Sequence, residues 1–321
     1  MADRGGATHD DDVRPDPGSP GARPRVERPT VTNILSRATN RAKRQVIARV
    51  PPVTRLVEGL HQSRLRDHRE HLPSISPATS ALLEQVEGTG VAVSSQDELG
   101  IPGTDQLKGV LGHLKASLAA RDPQGASALR PAHSELLADA ALWRWGLDQR
   151  LLDVVENYIG LPVTYYGAAV YREVADGTTQ WTRQWHRDIE DHKVFKILVW
   201  LNDVGPRGGA LQYIPRPVSD PAVQRLRYVA GFVTDEQMAE VVPPSAWVKA
   251  TGPAWTAVLA DPARILHRAS PAEDQDRYSV TFTWTSRHPI KTMPPAEPLT
   301  ADEDARIRAG LSPAQLACLP A

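Results

Sequence analysis

The chain has 321 residues and a formal net charge of −1, with 37 Lys and Arg residues against 38 Asp and Glu residues. This balance argues against a strongly basic nucleic-acid-binding protein, so we expect no nucleic-acid partner. No stretch of about 18 apolar residues is present, which predicts no transmembrane segment, and no apolar secretory signal is found near the N-terminus. The single cysteine, Cys318, cannot form an internal disulfide, so we expect a reducing, cytoplasmic environment.

The N-terminal part of the chain differs in composition from the rest. Residues 1–30 hold five prolines and four glycines, which predicts a disordered tail because little of it can be buried. Residues 31–76 form a predicted basic helical extension, in which the segment 37–69 has nine basic and two acidic residues. A basic amphipathic helix can contact an anionic membrane surface or an acidic partner. The alternative is a solvated helix that packs on the folded domain.

Residues 77–160 carry aliphatic side chains at helical spacing, which predicts a helical region at the start of the folded domain. We expect one helix to end at Gly88, a second to be capped by Thr104, and a third to cover 136–143. A fourth helix is predicted over 147–158, with Gly160 at its end. Between the first two helices, a short strand is predicted at 91–93.

After Gly160 the pattern changes to β-branched and aromatic runs, and the 8 Trp, 7 Tyr and 3 Phe all lie between Trp143 and Trp284. No long helix is predicted between successive strands, which favours an antiparallel sandwich or jelly roll over a parallel sheet. We therefore expect a mainly β fold with flanking helices and a double-stranded β-helix barrel over 161–289. The predicted strands cover 163–170, 181–185, 194–201, 210–214, 256–259 and 278–285.

Two further segments complete the predicted organisation of the domain, 77–289. The connection 216–246 is long and rich in proline, which is typical of a lid or a substrate-binding loop. Residues 290–321 form a predicted C-terminal tail with one short helix at 301–309.

Three residues in this region have the chemistry of a metal site. His186 and Asp188 are two residues apart, so on a strand both side chains would point to the same face and could reach one metal ion. His267, which follows another strand-like run, is the candidate third ligand. Two histidines and one carboxylate form the facial triad of non-heme iron(II) oxygenases, which leaves three coordination positions open.

Arg277 and Ser279 follow at an alternating spacing that places both on one face of the last predicted strand. A guanidinium group can hold a carboxylate with two hydrogen bonds, and the Ser279 hydroxyl can add a third. This arrangement suggests a dicarboxylate cosubstrate that chelates the metal. The alternatives are a surface ion pair for Arg277 and a buried structural role for His267.

The order His186-x-Asp188, His267, Arg277-x-Ser279 resembles that of iron(II)/2-oxoglutarate dioxygenases, and in detail the phytanoyl-CoA dioxygenase family. The resemblance covers residues 80–287 and includes a Gly-rich hairpin at 208–215. It implies a jelly-roll barrel, iron(II), 2-oxoglutarate and O2 as cofactors, metal ligation by the two histidines and the aspartate, and cosubstrate binding by the arginine and serine.

The activity that the resemblance implies is hydroxylation of a C–H bond of a small-molecule metabolite, with release of succinate and CO2. Ring closure, desaturation and epimerisation are alternatives with the same ligands. The alternative from another class is a metal-binding jelly-roll module without catalysis, which would not require the Arg277-x-Ser279 pair. The substrate and the oligomeric state are not predicted.

Overall fold

The computed structural model describes residues 51–293 and 299–320. The tail predicted to be disordered, 1–30, and the first part of the basic extension lie outside the described residues. The described part of the basic extension begins with a helix at Pro51. None of the helices in the described ranges has the length and apolar character that a membrane crossing requires.

Ten α-helices lie within the described residues, most of them before the barrel. Gly160 adopts a left-handed backbone (φ 81°) and ends α6 as predicted, because glycine has no Cβ to clash there. In chain order the helices are α1 Pro51–His68, α2 Pro77–Thr89, α3 Thr104–Ala119, α4 His133–Leu136, α5 Ala141–Trp145, α6 Gln149–Ile159, α7 Arg216–Arg225, α8 Asp235–Ala239, α9 Ala301–Arg308 and α10 Pro313–Leu316.

Nine strands within the same ranges form two antiparallel sheets. The larger sheet has the order β1-β7-β4-β9-β3-β2 and the smaller has the order β6-β5-β8. The predicted fold class, an antiparallel jelly roll with flanking helices, is confirmed. The strands are β1 Val91–Ser95, β2 Ala128–Leu129, β3 Val163–Glu173, β4 Phe195–Trp200, β5 Leu211–Tyr213, β6 Val248–Ala250, β7 Thr256–Ala260, β8 His267–Ala269 and β9 Arg277–Ser286.

The two faces of the larger sheet have different neighbours, and this difference places the site. On β4, Phe195, Ile197 and Val199 face the main aliphatic and aromatic cluster, which includes residues of the helices α3, α5 and α6. Because side chains alternate along a strand, Lys196 and Leu198 point to the opposite face. That face looks toward the smaller sheet, and the space between the two sheets is the cavity described below.

Several local predictions differ from the structure. The segment 181–185, predicted as a strand, begins with a 3₁₀ turn at Trp181–Arg183, and the single helix predicted over 136–143 is two short helices. The first helix of the domain ends at Thr89, with Gly90 rather than Gly88 at its end. Thr104 does not cap α3, since its hydroxyl donates to the carbonyl of Ile101. These differences lie at the ends of helices and strands, where local sequence specifies the boundary least well.

The two flanking segments of the barrel are packed. Residues 216–246 contain α7 and α8, which enclose a small apolar cluster around Met238 and Trp185. The chain after residue 298 returns to the barrel, where Ile307 and Cys318 are buried and the Tyr165 amide donates to the Cys318 carbonyl at 2.7 Å. The fold therefore holds the long connection and the C-terminal helices against the barrel.

Candidate metal centre and cosubstrate pocket

His186, Asp188 and His267 come together at one end of the cavity, with one possible ligand atom of each within 4.8 Å of the others. His186 and His267 form an antiparallel bridge in which each backbone amide donates to the other's carbonyl at 2.9 Å. The Asp188 amide donates to the Pro262 carbonyl, also at 2.9 Å. Backbone pairing across the two segments, rather than a continuous strand, therefore sets the spacing of the three side chains.

The hydrogen bonds of the imidazoles orient both rings toward the same point. His186 Nδ1 lies 2.9 Å from the Gln184 carbonyl, and His267 Nδ1 lies 3.3 Å from the Ile265 carbonyl. A carbonyl only accepts, so in each ring Nδ1 carries the proton and Nε2 presents a lone pair. Each Nε2 lies 3.8 Å from Asp188 Oδ1. A fixed Nδ1–H of this kind is the usual support of a metal-ligating histidine.

The charges of the site favour ionised aspartate and neutral histidine. Burial, together with the neighbouring His186, lowers the pKa of His267 to about 3, so this imidazole is uncharged near neutral pH. Burial by itself raises the pKa of Asp188, but the positive charge of Lys196 outweighs it and lowers the pKa well below the ordinary value. Both protonation states are those that metal binding requires.

Lys196 is a component of the site that the sequence analysis left unassigned. Its ammonium lies 2.5 Å from Asp188 Oδ2, the carboxylate oxygen turned away from the two imidazoles. Burial lowers the pKa of Lys196, but Asp188 raises it above the ordinary value, so the two side chains form a half-buried ion pair in the cavity wall. The ammonium thus balances the carboxylate charge and leaves Oδ1 directed toward the histidines.

Arg277 and Ser279 lie on the inner face of β9, in the same cavity as the three candidate ligands. The Arg277 guanidinium is buried and donates through Nη1 to the Gly209 carbonyl. Its Nε has no hydrogen-bond partner in the described structure. The surface ion pair considered for Arg277 is wrong, because Asp274 and Asp276 pair with other arginines.

A second charged group, Glu173, stands beside this arginine. Glu173 Oε1 lies 3.5 Å from Arg277 Nη2, and its Oε2 lies 2.8 Å from Nη2 of Arg183. Arg183 is itself buried and also pairs with Asp176 at 2.8 Å. Glu173 is therefore held largely by Arg183, which leaves part of the Arg277 guanidinium available. Nothing in the local sequence around Glu173 indicated this bridge, because its two partners, Arg183 and Arg277, come from separate segments.

One cavity of about 750 Å³ joins the two groups of residues. The three candidate ligands lie on one side, Arg277 and Ser279 on another, and Trp181 on the wall. Alternation along the strand predicted over 181–185 turns Trp181 and Trp185 away from His186, which predicts that both are packing residues. Trp185 is fully buried, but Trp181 is 73% exposed. The alternation argument failed at Trp181 because the 3₁₀ turn breaks the period of the strand.

A buried carboxyl next to the site predicts a pH effect on stability. Burial raises the pKa of Asp261 to about 7, although Tyr158 donates to it at 2.7 Å. In the unfolded chain the pKa of this carboxyl is the ordinary 3.8, so between about pH 4 and pH 7 the folded state holds a proton that the unfolded state releases. As the pH rises through this range, this group should therefore lower the free energy of unfolding by about 1.4 kcal/mol per pH unit. We expect Asp261→Asn to lose that dependence.

The measurement is urea denaturation of both proteins at several pH values in this range. Other groups titrate in both proteins, so the difference between the two curves isolates Asp261. The two curves should converge toward low pH, where the carboxyl is protonated in the folded and unfolded states alike. Parallel curves would show that Asp261 does not titrate as described.

No family model matches the chain, and no curated protein matches it. EctD from S. alaskensis with bound Fe is 20% identical, with 69% of this chain and 82% of that chain covered and a TM-score of 0.45. HygX from Streptomyces hygroscopicus with nickel, 2-oxoglutarate and hygromycin B is 16% identical, with 66% and 88% covered and a TM-score of 0.44. The epimerase SnoN in complex with Fe3+, alpha ketoglutarate and nogalamycin RO is 15% identical, with 70% and 97% covered and a TM-score of 0.46. These likenesses are too weak to assign an activity, and the phytanoyl-CoA dioxygenase resemblance stays a prediction.

Proposed function

We propose that the protein is an iron(II)- and 2-oxoglutarate-dependent oxygenase that hydroxylates a C–H bond of a small-molecule metabolite. The proposal rests on one observation: a two-histidine, one-carboxylate cluster shares a cavity with a buried arginine whose Nε has no partner. Buried polar groups are nearly always hydrogen-bonded, so a cavity-lining arginine that keeps one guanidinium nitrogen without a partner indicates a ligand that completes its hydrogen bonds. The motif order also supports membership in the phytanoyl-CoA dioxygenase family.

The residues present fit both cofactors. Two Nε2 lone pairs and the Asp188 carboxylate form the donor set of the facial triad, and they would hold iron(II) with positions left for a chelating cosubstrate. Arg277 and Ser279 would hold the distal carboxylate of 2-oxoglutarate. The chemistry that these cofactors supply when bound is oxidation of a substrate C–H bond by O2, coupled to conversion of 2-oxoglutarate to succinate and CO2.

The protein's own groups have three tasks in such a reaction. The Nδ1–H bonds of His186 and His267 keep both imidazoles oriented, with Nε2 turned toward Asp188. The Lys196 ammonium keeps Asp188 ionised and turned toward the histidines. Apolar walls that include Leu198 and Ile265 line the cavity between the sheets and limit access of water to the reacting bond.

The alternative outcomes of the same chemistry are ring closure, desaturation and epimerisation, which the ligand set does not distinguish. A non-catalytic metal-binding module is disfavoured by the Arg277 side chain. Burying a guanidinium costs free energy, and a metal ion alone makes no use of its free Nε. We also infer a small-molecule partner, because the cavity volume lies within the usual range of ligand pockets.

The test is a measurement of 2-oxoglutarate binding and succinate formation. The purified protein is loaded with iron(II) under anaerobic conditions, titrated with 2-oxoglutarate, and then exposed to O2. We expect one 2-oxoglutarate to bind per iron, and slow succinate release even without substrate. Absence of both 2-oxoglutarate binding and succinate formation would refute the dioxygenase function and leave the metal-binding module.

A further inference from the structure

Two exposed aromatic rings stand next to the candidate metal centre. Of the large apolar side chains that are exposed in the described residues, only Trp181 (73%) and Phe232 (46%) are aromatic. Trp181 lines the cavity, and the Phe232 ring meets the His186 ring edge-on at a centroid distance of 5.4 Å. Single exposed apolar side chains are common on protein surfaces, but two aromatic rings beside the same histidine segment form a local cluster, which is typical of a binding site.

The backbone holds these rings near the site. The Gln184 amide donates to the Trp181 carbonyl at 2.9 Å, two residues before His186. Trp185 and Val233 exchange both backbone hydrogen bonds, at 3.0 and 2.8 Å, so Phe232 lies alongside the same segment. The positions of both rings relative to the candidate ligands are therefore set by paired backbone rather than by free loops.

Trp181 carries a conformational cost that the described structure does not offset. Its φ is +57°, in the left-handed region that non-glycine residues rarely adopt. Within the described residues the indole makes no ring contact and no hydrogen bond. Strain of this kind concentrates at ligand-binding positions, where the structure around a residue enforces it. The flat indole face in the cavity wall is thus available for stacking against a planar group.

The charges of the cavity select among planar ligands. Four cationic side chains line it, Arg130, Arg183, Lys196 and Arg277, against two carboxylates, Glu173 and Asp188. Both carboxylates are already paired with cations of the cavity. Arg183 also pairs with Asp176, and a bound iron(II) and a 2-oxoglutarate dianion would cancel each other, so an excess of one positive charge would remain.

Arg130 is the cation that stays open to a substrate. It lies at the end of β2, with its guanidinium 4.7 Å above the Tyr171 ring. Within the described residues no carboxylate pairs with it. Arginine presents a planar set of donors that matches a carboxylate or a phosphate. A cationic substrate, by contrast, would find no unpaired carboxylate on the cavity wall.

We propose that the open part of the cavity binds a planar, apolar molecule that carries an anionic group, with its ring on Trp181 and its anion on Arg130. This inference rests on the proposed function, since it names the substrate class of the same site. Trp181 and Arg130 are then specificity-determining residues that contact the substrate and not the cofactors.

The experiment titrates three probes into the full-length protein loaded with nickel(II) and 2-oxoglutarate, so that no turnover occurs. The probes are naphthalene-2-carboxylate, the matched amine naphthalen-2-ylmethylamine, and the non-planar acid cyclohexanecarboxylate, with binding measured by calorimetry. We expect the naphthalene acid to bind at least about tenfold more tightly than either of the others. Equal binding of the amine, or no binding of the naphthalene acid, would overturn the proposal.

Substitutions of Trp181 and Arg130 test the two proposed contacts with the naphthalene acid. Trp181→Ala is expected to weaken binding of the naphthalene acid by about tenfold, and Trp181→Phe to restore most of it, because stacking is retained. Arg130→Gln is expected to weaken the acid by about tenfold without affecting the amine. The matched controls, Leu60→Ala on α1 and Arg207→Gln on an exposed loop, should leave binding unchanged. Unchanged binding in Trp181→Ala or Arg130→Gln would refute the assigned contact.

The same samples separate the two proposals. Binding of 2-oxoglutarate to the nickel-loaded protein is measured first, without any probe. If 2-oxoglutarate binds and the naphthalene acid does not, the substrate inference is wrong and the proposed function stands. If 2-oxoglutarate fails to bind, the proposed function is wrong. The probe titration of the cofactor-free protein then tests Trp181 and Arg130 as a separate binding site.

Discussion

Replacement of Asp188 by alanine is expected to abolish iron binding and turnover. Loss of a group that only supports a metal ligand already costs about 10- to 100-fold in metal affinity, so loss of the carboxylate ligand should exceed about 100-fold. The measurement is iron(II) affinity by competition with a coloured chelator, together with succinate formation. An Asp188→Ala variant with wild-type iron affinity would exclude Asp188 from the metal site.

The same substitution also affects folding, and a second variant separates the two effects. Asp188→Ala leaves the half-buried Lys196 ammonium without the carboxylate that lies 2.5 Å away, and we expect a cost of up to about 3 kcal/mol, the lower end of the range for fully buried pairs. Replacing both members of such a pair with apolar side chains is often neutral. We therefore expect Asp188→Ala/Lys196→Met to recover most of the stability and none of the iron binding.

The control for this series is Asp274→Ala, which removes an exposed carboxylate from a surface ion pair with Arg207. Surface pairs contribute about 0–1 kcal/mol, so this variant should retain both stability and iron affinity. Recovery of iron binding in the double variant would mean that the metal site does not need the carboxylate. Failure of the double variant to recover stability would mean that Lys196 is not the cause of the destabilisation.

Substitution of Arg277 is expected to weaken 2-oxoglutarate binding while metal affinity stays unchanged. A hydrogen bond to a charged group contributes about 1.5–3 kcal/mol, so loss of the guanidinium contact should raise the 2-oxoglutarate Kd by about 10- to 100-fold. Arg277→Lys preserves the charge and much of the volume but removes Nε and the planar fork. We expect it to bind 2-oxoglutarate nearly as poorly as Arg277→Ala.

The variant matched to the Arg277 substitutions is Glu173→Gln, which changes the carboxylate beside Arg277. It removes the opposing negative charge 3.5 Å from Arg277 Nη2 and preserves the shape of the side chain. We expect 2-oxoglutarate to bind Glu173→Gln at least as tightly as the wild type, because two buried arginines then face one fewer carboxylate. The measurement is calorimetry on the nickel-loaded protein. A wild-type Kd in both Arg277 variants would refute the cosubstrate role of Arg277.

Much of the fold was predictable because its signals are local. The β-branched and aromatic runs after Gly160 indicated strands, and the absence of helices between successive runs indicated antiparallel pairing. The missed features were the short strands β2, β6 and β8 and several turns and caps, such as the 3₁₀ turn at Trp181–Arg183. They depend on side chains such as Arg183, which bonds to groups up to 56 residues away in the chain. No local pattern reports such partners.

Part of the candidate site was predictable from the sequence and part was not. The residue types and spacing of His186, Asp188 and His267 predicted a common site, and the structure brings these side chains together. The Arg277-x-Ser279 alternation predicted a shared face, and both residues line the cavity. Lys196 was not assigned, because a period of two shows which residues share a face and not which face is turned inward.

The sequence by itself determined the strand pattern, the antiparallel fold class and the set of side chains with metal and carboxylate chemistry, because each follows from residue type and short-range spacing. Only the tertiary structure decided which face of β4 meets the cavity, since helices from elsewhere in the chain cover the other face. It also decided the partners of the buried charges, Lys196 with Asp188 and Glu173 with Arg183. Pairing of charges across strands depends on the register of the sheets, which backbone hydrogen bonds between distant segments set.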